Sequence, residues 1–231
     1  VKLDLKRAWE ISPIAAIGCI AIGMTNSSFR TLSPVYAQSI GMSVADVATF
    51  VSLSIIGGAV IQYPLGYLSD RRDRRTILLI TTTLAMLAAA VLPLTGSEDR
   101  LINFVFVFIF GAFAMPLFSL SAAHANDRAE TNEYVSLNAA LMLFYSFGAI
   151  GGPFAAATVM EYFGPHALFW FSVAIYAVLL VIIVYRMRAR PAAPKEQRGR
   201  FTALLRTSPI FARLAQKPAN DGKRDTTDKE S

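Results

Sequence analysis

Five stretches of this chain, 47–69, 76–97, 101–126, 134–160 and 162–185, contain no Asp, Glu, Lys or Arg, and each exceeds 20 residues. A helix of that length crosses the roughly 30 Å of hydrocarbon in a bilayer. The whole composition agrees: 54% of residues are apolar and 16% charged, where a soluble domain carries about 25% charged residues. A sixth stretch, 12–39, is apolar except for Arg30 and the cluster Thr25-Asn26-Ser27-Ser28. Spans are therefore expected over 12–39, 44–67, 76–94, 101–123, 135–160 and 166–185. Lipid offers no water to backbone polar groups, so each must be a helix, and the alternation of a barrel strand is absent. The expected fold class is all-α, a polytopic membrane protein of six transmembrane helices.

The charges that remain set an orientation. Of 22 Lys and Arg, one side of the membrane collects Lys2, Lys6, Arg7, Arg71, Arg72, Arg74, Arg75, Arg128 and twelve beyond Tyr185; the other collects Arg100 alone. Basic residues favour the cytoplasmic side, so both ends are expected there, in a cytoplasmic (inner) membrane, with 1–11 as a lead-in. Residues 1–185 carry net −1 and residues 186–231 net +7. The positive balance thus belongs to a basic tail, expected to be largely disordered. Within it, 200–217 sets Phe201, Leu204 and Phe211 among basic residues and suits contact with anionic membrane lipids, although Pro209 interrupts any helix. Charge confined to a tail beside six spans argues against a nucleic-acid partner. Cys19 is the sole cysteine, so no internal disulfide is expected. Lys2, Lys6 and Arg7 ahead of an apolar run ending at Cys19 faintly suggest a lipoprotein leader, but Asp4, Glu10 and the continuing apolar stretch oppose it.

Between the second and third spans the chain reads Gly66-Tyr67-Leu68-Ser69-Asp70-Arg71-Arg72-Asp73-Arg74-Arg75. The arginines alone follow from orientation. Gly66 four residues ahead of Asp70, and an acid set among arginines, do not. Glycine at a helix end admits a second backbone closely, and a carboxylate there suits a neighbouring helix N-terminus. The spacing resembles the cytoplasmic signature of the major facilitator superfamily, Gly-x-x-x-Asp-Arg-x-Gly-Arg-Arg, matched by Gly66, Asp70, Arg71, Arg74 and Arg75. Asp73 departs from it, where the family prefers Gly, and puts the tight turn in doubt. The resemblance covers residues 10–190 and implies one half-bundle of a twelve-helix transporter, the loop latching the two halves. The uncharged fourth span, the imperfect loop, the start at Val1, the long tail, and the segments His124-Ala125-Asn126-Asp127-Arg128 and Leu32-Ser33-Pro34-Val35-Tyr36-Ala37 favour the carboxy-terminal half. The implied partners are a missing amino-terminal half or a second copy, and a small-molecule substrate.

Polar residues inside spans mark the candidate site. A mid-span arginine costs about 2.5–3.5 kcal/mol on insertion scales and so faces a cavity or a partner. Arg30 meets that description, with Asn26 one turn away; the resemblance implies that this helix lines the transport cavity and that the substrate is anionic. A structural pair with Asp46 or Glu161, or snorkelling to headgroups, is the alternative. Gln62, Asn138 and Tyr145 are further cavity candidates, although such groups usually serve interhelical contacts. Pro64 and Pro116 interrupt spans, and Gly148, Gly152 and Pro153 resemble the superfamily's antiporter signature or simply pack closely and kink. His124 and His166 lie at span ends. No Asp or Glu lies deep in any span.

Other classes fare worse. An intramembrane serine protease needs a buried nucleophile and histidine, and Gly41-Met42-Ser43-Val44 is a poor candidate. Metal-binding His-Glu-x-x-His, phosphate-binding glycine loops and Cys/His clusters are absent, so no cofactor, metal or enzyme activity is expected. A six-helix channel or self-associating membrane protein is the remaining rival to a secondary transporter.

Overall fold

The apolar stretches are helical in the computed structural model, which describes residues 4–96 and 98–189. In order these are α1 (Leu5–Ile11), α2 (Pro13–Ser39), α3 (Val44–Arg71), α4 (Arg74–Val91), α5 (Arg100–Ala114), α6 (Leu117–Asn126), α7 (Tyr134–Phe163) and α8 (Ala167–Ala189). Single 3-10 turns at Leu92–Leu94 and Thr131–Glu133 precede α5 and α7. No strand is present among the described residues. The tail beyond Ala189, including the expected amphipathic segment 200–217, lies outside the described residues.

Side-chain caps fix several starts. Asp4, Ser12, Ser43 and Asp73 accept from the backbone N–H of Arg7, Ala15, Asp46 and Arg75, at 2.8, 3.3, 3.2 and 3.0 Å, satisfying donors that a helix leaves open at its first turn. Ser12 also ends α1, and Pro13 opens α2 where its missing N–H costs nothing. The chain turns by 111° there, so the expected lead-in is a short helix lying across the bundle. Arg7 Nε reaches Glu133 Oε1 at 2.8 Å and fastens it to the start of α7.

Among the described residues, five spans are long and apolar enough to cross a membrane: α3, α4 with its turn, α5 with α6, α7 and α8. A sixth counts if α1 and α2 form one bent span; Thr25 to Thr31 dilute the hydropathy of α2. The fourth span, expected as one segment, is two helices, because Pro116 supplies no N–H to the ladder and stands at the joint.

Two pairings dominate the packing, α2 with α7 and α3 with α5, and α4 packs about equally on α8 and α5. Glycines set both. A Cβ on Gly148 would lie 2.9 Å from Met24 N and one on Gly152 2.5 Å from Met24 O. On the second seam, a Cβ on Gly111 would lie 2.7 Å from Ser54 Cα. Backbones meet backbones there, as dispersion-driven helix association in lipid favours. An aromatic cluster fills the opposite end of the bundle from the arginine loop: Phe29 lies 5.0 Å from Phe110, and Tyr36 packs edge-on against Phe169 at 4.8 Å. The Tyr36 hydroxyl donates to Leu92 O, 2.9 Å away.

Pro153 has a visible consequence. Lacking an N–H, it leaves the carbonyl of Ala149 without its helical donor, and Ser27 Oγ donates to that oxygen from α2 at 2.9 Å. Ser27→Ala should therefore lower stability by about 0.5–2 kcal/mol. Its unfolding midpoint in mild detergent, compared with that of Thr158→Ala, whose hydroxyl bonds only within α7, checks this.

Candidate functional site

The loop residues singled out in the sequence converge where the ends of α3 and α6 meet the start of α4. Arg74 is 2% exposed, although charged. Its Nε donates to Asp127 Oδ2 at 2.5 Å, its Nη1 to Ser69 Oγ at 3.3 Å, and the same Nη1 lies 3.1 Å from Asp70 Oδ1. A guanidinium projects donors in a fixed fork, so one side chain ties two carboxylates and a hydroxyl from two other helices. Arg75 is equally buried, Gly66 is buried, and Asp70 is half-buried. Arg71 faces outward and stacks over the Tyr67 ring at 4.2 Å, a cation–π contact.

Asp73, the departure from the motif, has a local reason. The connection is only Arg72 and Asp73, and Asp73 sits at φ −65°, ψ 118°. That backbone needs no glycine, and the carboxylate caps α4 through Arg75 N. The tight turn placed in doubt by this residue is present.

The mid-span candidates separate by environment. Arg30 is exposed on α2 and makes no ion pair among the described residues. Asn26 on the same helix is buried, 8% exposed. Gln62 is half-buried on α3, next to Tyr63, which is 81% exposed, and to exposed Pro64. Asn138 is engaged elsewhere: its Nδ2 donates to Asn126 Oδ1 at 3.1 Å and Tyr134 O at 2.8 Å. Tyr145 is buried against Phe118, ring centroids 5.3 Å apart. Arg30, Asn26 and Gln62 thus differ from Asn138 and Tyr145, which knit helices together.

At the other end, Asp46 does not meet Arg30. It pairs with Arg100 and accepts from Ser43 Oγ at 2.7 Å; Glu161 is exposed. Asn103 is fully buried, joining Thr95 Oγ1 and Gly96 O at 2.8 Å each. Sequence reasoning passed over Asp127, Ser69, Asn103 and the Asp46–Arg100 pair. Asp127 left one signal: it is the first acid after Asp99, at the end of an uncharged span that finishes beside the arginine loop. No cluster of three metal-ligating side chains occurs among the described residues.

Stacked apolar helices joined by glycine seams, with a buried arginine cluster at one end, define a multi-pass helical membrane protein. The model of the Major Facilitator Superfamily matches residues 10–219, and the chain belongs to that family. Relatives include an uncharacterized MFS-type transporter of Yersinia pestis (strain Pestoides F), 29% identical over 170 residues, covering 72% of this chain and 42% of that protein. Another, from Yersinia enterocolitica, is 28% identical over 81% of this chain and 46% of its own length. The MFS-type transporter YcaD of Salmonella typhi is 27% identical over 75% and 44%. The chain therefore spans less than half the length of these relatives. Among solved structures, an auto inhibited POT family peptide transporter superposes with TM-score 0.67 at 15% identity, covering 79% of this chain and 38% of that one. That likeness is one of fold.

Proposed function

We propose that the chain forms one half of a secondary transporter that moves a small anionic solute across a bacterial inner membrane by alternating access. Its partner is a second six-helix half, from the same polypeptide or a second copy, and its arginine-rich end faces the cytoplasm. One observation carries the reading: Arg30 is exposed, well inside α2, and without an ion pair among the described residues. At 17 residues from the helix start it stands about 26 Å along the axis. That is past the middle, about 14 Å short of the outer end of α2. A guanidinium against lipid is unfavourable by about 2.5–3.5 kcal/mol at a span's centre and by less here, and a face that borders water or a partner removes that cost. The neighbouring helices agree: only 28% of the apolar window of α3 and 33% of that of α7 is buried within this half, against 50% for α4. Those faces await the second bundle, and Asn26 and Gln62 flank the cavity between them. The buried Arg74 cluster, with Gly66, Asp70, Arg71 and Arg75, acts as the latch between halves.

Thiol labelling tests this. Cys19 is fully buried, so Arg30→Cys introduces an accessible thiol into an otherwise silent chain. A water-soluble maleimide should label Arg30→Cys at least tenfold faster than Val181→Cys on the exposed face of α8. Asp70→Asn should raise that labelling from one side of the membrane and lower it from the other, as a carrier shifted between two states requires. Arg30→Cys as inert as Val181→Cys would remove the cavity, and equal labelling from both sides in either background would favour a channel.

A further inference from the structure

Helix α1 is two-faced, and its apolar side is only partly covered by the bundle. At about 100° per residue, Leu5, Ala8, Trp9 and Ile11 share one arc of about 160°, while Lys6, Arg7 and Glu10 take the other. Ala8 is buried, and Leu5 and Ile11 pack against the core. Lys6, Arg7 and Glu10 are exposed. Trp9 stands at the edge of the apolar arc, next to Lys6, and is 44% exposed. An indole has an apolar body and one polar N–H, which suits it to a boundary between hydrocarbon and water.

Two contacts place α1 along α7. Arg7 Nε reaches Glu133 Oε1 at 2.8 Å, just before α7 begins. The ring of Trp9 instead packs on Phe144, with centroids 6.4 Å apart. Phe144 lies about ten residues, or about 15 Å, into α7. One short helix thus sends a cation toward the end of the span and an aromatic ring toward its apolar flank. Side chains sort in that way where a helix lies at a lipid boundary. The angle agrees, because α1 meets α2 at 111° and so runs across the spans. Ser12 fixes that turn from both sides: its N–H donates to Ala8 O at 3.1 Å, and its Oγ accepts from Ala15 N at 3.3 Å.

Charge selects the occupant of the open edge. Arg7 is paired with Glu133, but Lys6 beside Trp9 makes no ion pair among the described residues. Arg71 and Arg72 are exposed at the same end of the bundle. A basic edge bordering an indole complements anionic lipid headgroups. An interface with protein would want the reverse, an apolar centre with charge kept to the rim.

We infer that α1 is an in-plane membrane anchor, seated at the headgroup–acyl boundary of the leaflet at the arginine-rich end, with Trp9 in the boundary and Lys6 among anionic headgroups. Because Ser12 fixes the turn into α2 and Arg7 holds the start of α7, a seated α1 sets the depth of both helices in the bilayer. Neither the Arg30 cavity nor the Arg74 latch enters this inference.

Tryptophan fluorescence tests it. The chain has two tryptophans, so Trp170→Phe leaves Trp9 as the only reporter, excited beyond the absorption of tyrosine. The full 231-residue chain is reconstituted in vesicles of phosphatidylcholine and phosphatidylglycerol, with the phosphatidylcholine brominated either near the carbonyl end of its acyl chains or near the methyl end. The expected result is quenching at least twofold stronger by the shallow bromines than by the deep ones, and stronger than by aqueous acrylamide. Trp170→Tyr, a second route to the same single reporter, should give the same order. Quenching chiefly by acrylamide would mean that α1 stands in water, and quenching chiefly by deep bromines that it is buried in hydrocarbon. Emission that none of the three quenches would mean that protein covers Trp9. Each of these outcomes overturns the proposal.

Discussion

Gly148→Ala should lower the unfolding midpoint of the detergent-solubilised protein sharply, whereas Gly151→Ala, less than one turn further along α7, should leave it unchanged or slightly raised. The two positions share a helix and a residue type; only their surroundings differ. A methyl on Gly148 would sit 2.9 Å from Met24 N and closer still to Ile20 O, both backbone atoms of α2. Neither can rotate away, as a side chain would. A methyl on Gly151 meets nothing within 4 Å. Over-packing a filled interface costs about 1–3 kcal/mol, and more where only backbone can yield. Separating α2 from α7 also pulls Ser27 from Ala149 and moves the helix that carries Arg30. Gly148→Ala is therefore expected to cost about 3 kcal/mol, read against Gly151→Ala, for which helix propensity alone predicts a gain of up to about 1 kcal/mol. Equal midpoints for the two would mean that this seam is not held by close backbone approach.

The same glycines show where a sequence informs and where it stops. Charge-free runs longer than 20 residues left helices as the sole option, because lipid removes water from the choice, and the all-α fold was legible from that. The loop motif was legible because its members are neighbours: ten consecutive residues end one helix and open the next. Asp73 could be read only as a departure, since its cap on Arg75 N depends on a backbone conformation that no spacing encodes. Gly148 and Gly152 could be read as close packing with a kink or as the superfamily's antiporter signature. What settles their surroundings is the identity of the facing helix, α2, more than 120 residues away. The pairing of Asp127 escaped notice for the same reason, since its partner Arg74 is 53 residues away. Arg30 stood out from rarity alone, but its exposure required knowing that Asp46 turns to Arg100 instead.

Asp127→Ala should be the most destabilising charge removal in this chain, larger than Asp70→Asn although both carboxylates touch Arg74. Asp127 is 7% exposed and Arg74 2%, so the pair has little water to fall back on. Removing the acid leaves a guanidinium buried with one carboxylate fewer, and breaking a buried pair from one side typically costs about 3–5 kcal/mol. Asp70 has a side chain that is 29% exposed, where solvent screens the charge and an amide still bonds, so Asp70→Asn should cost at most about 1 kcal/mol. The decisive comparison is a double-mutant cycle. If the loss on removing the acid comes from the stranded arginine, Arg74→Met combined with Asp127→Leu should recover much of what Asp127→Leu alone loses, because an apolar pair is often as stable as the buried ion pair it replaces. The cycle comprises the unaltered chain, Asp127→Leu, Arg74→Met and the double variant. Unfolding midpoints of the four proteins measure the coupling. A double mutant as unstable as the sum of its parts would show that Arg74 and Asp127 act separately, and that the buried end of this bundle is held by packing rather than by the arginine fork.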